Sequence, residues 1–113
     1  PGIPMVTTEL TRGPSRDEAA NRLFADLKPE IKEWAMERYT MHPTEASDAP
    51  GELDWFWTQS WPPKVIRCRR STNPSEAHQR RTAETLGADW YELDAGHYPM
   101  LSHPEQLAQL LQS

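Results

Sequence analysis

The sequence predicts an α/β chain in which a helical, aromatic segment precedes a parallel β–α–β–α unit. Three observations carry this. A short run with β-branched residues, Lys64–Cys68, follows the breaker Pro62-Pro63. A helix signal opens at Asn73-Pro74-Ser75-Glu76, runs to Leu86 and stops at Gly87. A second strand-like run, residues 88–93, comes directly after. One helix crossing over between two strands implies parallel pairing through a right-handed connection.

Residues 1–14 carry no periodicity and are expected to be mobile. Pro1 to Pro4 precede Met5 and read as a tag remnant before a native start, the alternative being a fragment of a larger protein. Ser15 and Glu18 have capping-box spacing, so each side chain can satisfy a free N–H of the first helical turn. Ala19, Ala20, Leu23, Phe24 and Leu27 then form an apolar stripe. Pro29 suits the start of a second helix, which Ile31, Trp34, Ala35 and Arg38-Tyr39 continue and which His42-Pro43 should end. Residues 43–54 read as a loop, and residues 53–61 are dense in aromatics.

In the second half, Asn73 is the expected cap of the crossover helix. Pro74 takes its first position, and Gly87 is its C′ residue. Asp94-Ala95-Gly96-His97 turns out of the second strand. Residues 102–104 open a last helix with Leu107, Leu110 and Leu111 on one face. The chain thus divides into a start, 1–14, a helical and aromatic segment, 15–61, and the β–α–β–α unit, 62–113.

Composition narrows the function classes. The chain has 113 residues, a net charge of −5 and a mean hydropathy of −0.83, which suits one small domain with a lean core. Five Trp, three Tyr and two Phe offset that leanness, because each ring buries a large area. An acidic balance argues against a non-specific nucleic-acid binder. No apolar run approaches the ~20 residues of a membrane span, and no signal peptide is legible. Cys68 is the single cysteine, which excludes an internal disulfide and a Cys-rich zinc site. His42, His78 and His103 share no ligand spacing with carboxylates. The expectation is a cytoplasmic protein with no metal and no cofactor.

The segment "ELDAGHYPMLSHPEQLAQLL" resembles the end of the α/β-hydrolase fold. In that family the catalytic His follows the last strand in a Gly-His turn, and an apolar stretch and a Pro-initiated helix come next. Those features fall here on Gly96-His97, Pro99-Met100-Leu101 and Pro104. "WPPKVIRC" looks like the penultimate strand, and "HQRRTAETLGADWYEL" like the crossover helix and last strand. "LKPEIKEWAMERY" is similar to the cap helix of the salicylate-esterase and plant methylesterase-like branch. The resemblance covers roughly residues 24–112 and implies a truncated hydrolase scaffold. The G-x-S-x-G nucleophile elbow occurs nowhere in the chain, and the oxyanion-hole loop is missing too. The family's acid position falls on Ser71, which cannot supply the negative charge that stabilises an imidazolium.

Several residues are therefore candidates. His97 is the candidate catalytic base or acid, since histidine is the side chain suited to proton exchange near neutral pH; otherwise it is a turn residue bonded to backbone. Ser71 would face it from the end of the neighbouring strand, where open α/β sheets place ligands, as a nucleophile or as a plain turn serine. Cys68 inside its strand reads as an inert small hydrophobe, with a reactive thiol as the alternative. Arg67, Arg69 and Arg70 could hold an acidic group, although such arginines usually pair with carboxylates. Trp55, Trp57, Trp61 and Tyr98 are candidate ligand-binding aromatics, with core or interface area as the competing role.

Two parallel strands leave two unpaired sheet edges, which points to a homodimer or to a partner protein. Three functions follow. The first is a repurposed scaffold using His97 for proton transfer on a small molecule, in an elimination, isomerisation or cyclisation. The second is a non-catalytic binding or assembly protein for a biosynthetic partner. The third is the C-terminal fragment of a complete esterase.

Overall fold

The computed structural model describes residues 3–8, 10–48 and 51–113. Residues 1, 2, 9, 49 and 50, which fall in the expected mobile start and in the expected 43–54 loop, lie outside them. The chain mixes helices and strands, with one parallel and one antiparallel sheet. Among the described residues no helix is long and apolar enough to cross a membrane.

The start is not featureless. Strand β1, Val6–Thr7, pairs antiparallel with β2, Thr11–Gly13, and β2 pairs with β3, His42–Pro43. The Thr8 and Thr11 hydroxyls lie 2.8 Å apart across the turn. Two expectations are corrected here. Residues within 1–14 pair as strands, β1 with β2 locally and β2 with the later β3. His42-Pro43 is strand rather than the stop of the second helix, which has already ended at Arg38.

Ser15 caps helix α1, Arg16–Glu18, accepting from the Glu18 N–H at 3.2 Å. The next turn widens over Ala19–Leu23, and the Phe24 N–H reaches the Ala19 carbonyl at 2.9 Å, an i→i+5 bond. The expected stripe is the core: Ala19, Leu23, Phe24 and Leu27 are buried together with Ala35 of α2, Pro29–Arg38. Within 43–54 the loop expectation is corrected over α3, Thr44–Asp48, whose first residue donates its N–H to the Leu10 carbonyl. The aromatic run contains α4, Asp54–Thr58.

The second half follows the expected order. Strand β4, Lys64–Cys68, pairs parallel with β5, Asp89–Leu93, in the register Lys64 to Asp89 through Cys68 to Leu93. Helix α5, Glu76–Leu86, crosses between them. Gly87 ends it at φ 63°, the left-handed conformation that suits glycine, and the Ala88 N–H returns to the Ala83 carbonyl at 2.8 Å. The cap is corrected by two residues. Ser75, not Asn73, accepts the His78 N–H, at 3.2 Å. Asn73-Pro74 is a cis peptide in the preceding turn. Helices α6, Pro99–Ser102, and α7, Pro104–Gln112, close the chain. Leu107 and Leu110 are half-buried, whereas Leu111 is exposed.

The halves meet at the core. Tyr98 packs on Phe24 with ring centroids 4.8 Å apart, and Leu101 lies against the same cluster. No large side chain among the described residues is fully buried, so packing is lean.

The shifted cap yields a test. Ser75→Ala should cost about 1 kcal/mol of stability, and Asn73→Ala much less. Urea denaturation of both variants checks this, and the opposite order would return the cap to Asn73.

Candidate functional site

The parallel ladder extends past the two strands and sets the site. The Arg69 N–H donates to the Leu93 carbonyl at 2.9 Å and the Arg70 N–H to the Ala95 carbonyl at 3.0 Å. The turn after β4 is thereby fastened to the turn after β5. The Ser71 N–H closes its own turn on the Cys68 carbonyl at 3.0 Å. Ser71 is thus brought to His97, as expected from their places at neighbouring strand ends.

The Ser71 Oγ lies 3.1 Å from His97 Nδ1, and it also lies 3.1 Å from the Asn73 carbonyl, to which it donates. A serine hydroxyl has one proton. When that proton goes to the Asn73 carbonyl, the Oγ accepts from the ring, a neutral His97 carries its proton on Nδ1 and its Nε2 keeps a free lone pair; when it goes to the ring, Nδ1 is the acceptor. The hydroxyl takes the place at Nδ1 that a carboxylate holds in a Ser-His-Asp triad. It can orient the ring but supplies no charge. Tyr98 packs edge-on against the same ring, centroids 5.2 Å apart.

A cavity of about 250 Å³ opens here, lined by Ser71 and His97 with Ile66, Cys68, Pro99 and Met100 among its walls. It is small beside the roughly 300–1,000 Å³ of drug-sized ligand sites. Cys68 therefore faces the site. Burial, and then the Asp26 carboxylate, push its thiol up from the ordinary range. A raised thiol is a poor thiolate nucleophile, which favours the inert reading of this residue.

Asp26 is the site residue that sequence reasoning missed. Its Oδ2 accepts the Gly96 N–H at 2.9 Å, holding the turn that presents His97. A Cβ at position 96 would stand 2.3 Å from Asp26 Oδ1, so the contact requires glycine there. Nothing local marks Asp26, because its partner lies 70 residues away.

The remaining candidates lie elsewhere or are engaged. Asp94 pairs with Arg70 at 3.4 Å and Arg69 at 4.0 Å. Arg67 bridges Glu76 at 3.1 Å and Glu92 at 3.3 Å. The expected basic cluster is thus already matched by acids. Trp55, Trp57 and Trp61 are exposed and do not line the His97 cavity. Tyr98 spends one face on the core, so its contribution is to seat the ring of His97.

Comparison with protein-family models, with curated proteins and with solved structures returned no match. The reading of the site therefore stands on the residues themselves.

The hydrogen-bond chain predicts the ring state. In wild type, ring ¹⁵N NMR of neutral His97 should show Nδ1 protonated, and Ser71→Ala should lose that preference. A wild-type ring protonated on Nε2 would break the chain as drawn.

Proposed function

We propose that this chain is a truncated α/β-hydrolase-like scaffold that performs proton transfer on a small molecule, with His97 as the base. The observation carrying the reading is the Ser71 hydroxyl at His97 Nδ1, on a ring that lines a small cavity. Within these residues the hydroxyl beside His97 belongs to Ser71, which sits in a turn and not in a G-x-S-x-G elbow.

In the proposed cycle Nε2 removes a proton from an acidic C–H or O–H of the substrate. The electron pair left behind shifts to form the new bond or to expel a leaving group. The imidazolium then returns its proton to the product or the leaving group, so the enzyme ends unchanged. Elimination, isomerisation and cyclisation all fit this balance. No acyl-enzyme forms. One positioned base contributes about 10²–10⁴ in rate. A non-catalytic assembly role is the second reading, favoured by the exposed aromatics around Trp55.

The proposed assembly is a homodimer. Among the described residues β4 and β5 each have a single strand neighbour, and the core is lean. Self-pairing at an edge would satisfy backbone groups left open there.

Two measurements test these proposals. Light scattering coupled to size exclusion should return the mass of two chains; a sharply folding monomer at micromolar concentration would contradict the dimer. In D₂O, a panel of small carbonyl acids and hydroxy acids should show deuterium incorporation or conversion for at least one member. His97→Gln should slow that reaction by about 10²–10⁴ with circular dichroism unchanged. Equal rates in variant and wild type would remove His97 from the chemistry.

A further inference from the structure

A second cavity, of about 310 Å³, lies between α4 and α5 and shares no lining residue with the His97 site. Its apolar wall is Phe56 and Trp57 of α4, and Leu86 at the end of α5 also lines it. The rings of that wall hold one another. Phe56 meets Trp57 edge-on at 5.0 Å and stacks with Trp61 at 6.4 Å, and Trp61 meets Trp55 at 6.3 Å. Such a wall is in place before any ligand arrives, which lowers the ordering cost of binding.

The opposite wall is one face of α5, where His78, Arg81, Thr82 and Thr85 recur at helical spacing. Its polar chemistry is one-sided. The Thr82 hydroxyl donates to the His78 carbonyl at 3.1 Å and the Thr85 hydroxyl to the Arg81 carbonyl at 2.9 Å, so both protons are spent on backbone. No carboxylate lines the cavity. This is unusual in a chain with 17 acidic and 12 basic residues, where the neighbouring arginines are matched. Arg67 and Arg80 share Glu76 and Glu92, and Arg69 and Arg70 share Asp94. The Arg81 guanidinium has no acid partner among the described residues.

From this juxtaposition we infer a binding site for a small aromatic carboxylate, its ring against Phe56 and Trp57 and its carboxylate on Arg81. A planar anion matches both walls at once. Aromatic faces receive the ring, and the planar guanidinium offers two parallel N–H bonds that a lysine would not. The volume falls in the range of roughly 300–1,000 Å³ typical of small-molecule sites. The site is independent of the chemistry proposed for His97.

Isothermal titration calorimetry of the full chain with 2-naphthoate tests the assignment. Saturable one-site binding is expected, weakened at least tenfold by Arg81→Gln and by Trp57→Ala and unchanged by His97→Ala. The neutral 2-naphthamide should bind at least tenfold more weakly than the acid to wild type and equally to Arg81→Gln. Equal binding of acid and amide to wild type would reduce the site to apolar adhesion and overturn the anionic class. Absence of saturable binding of 2-naphthoate up to millimolar concentration would overturn the site itself. Loss of binding in His97→Ala with Arg81→Gln unaffected would move the ligand to the other cavity.

Discussion

The hydrogen bond from Gly96 to Asp26 is the constraint on which the His97 site depends. It joins the N-terminal helical segment to the turn after the last strand, across 70 residues of chain. A carboxylate accepting a backbone N–H is a charge-assisted bond, worth about 1.5–3 kcal/mol. With no fully buried large side chain among the described residues, that is a sizeable share of what fixes one half against the other. The packing of Phe24 on Tyr98 adds an apolar contact beside it. Together they determine where the His97 ring stands, because Tyr98 also packs against that ring. The absence of a side chain at Gly96 is therefore a condition of the site and not only of the turn.

The same leanness explains the exposed aromatics. A two-stranded sheet offers little surface, and the buried cluster is filled by Ala19, Leu23, Phe24, Leu27 and Ala35. Trp55 meets Trp61, and Phe56 bridges Trp61 and Trp57, so these rings pack in one group at the surface. A large apolar group left in water is unfavourable by about 1.5–3 kcal/mol relative to burial. A group of them at one place is therefore costly to leave exposed, which is consistent with the ligand site proposed on the α5 side.

How legible each element was depends on how local its cause is. Strands β4 and β5 and helix α5 were readable because Pro62-Pro63, the Asn73-Pro74-Ser75-Glu76 start and Gly87 bound them. The stripe from Ala19 to Leu27 was readable from its apolar spacing, and it became the core. The β1–β2–β3 sheet was not, since its strands are two or three residues long and β3 comes about 30 residues after β2. The cap moved from Asn73 to Ser75 because two capping residues compete within three positions, and the Pro74 turn settled the choice. The Ser71–His97 contact followed from their places at neighbouring strand ends. The role of Asp26 did not, since a lone carboxylate at a helix end has no pattern to read. Arg81 was invisible too, because its meaning comes from acids that fail to reach it.

The difference between a hydroxyl and a carboxylate at Nδ1 narrows the chemistry open to His97. Both orient the ring, and only the carboxylate stabilises the imidazolium that forms after proton uptake. In serine proteases, a neutral amide in place of the acid lowers kcat by about 10⁴. That loss is severe where the imidazolium must persist through a tetrahedral intermediate. It matters less where the imidazolium hands its proton on at once, since the charged ring does not have to persist. The donation from Ser71 to Asn73 differs from that amide substitution in one respect. In that arrangement the hydroxyl is an acceptor for Nδ1, which matches the triad's tautomer although the charge is missing. A base with the right lone pair and no counter-ion is suited to passing a proton along, and that is why the proposed reactions are transfers within one small substrate rather than hydrolysis.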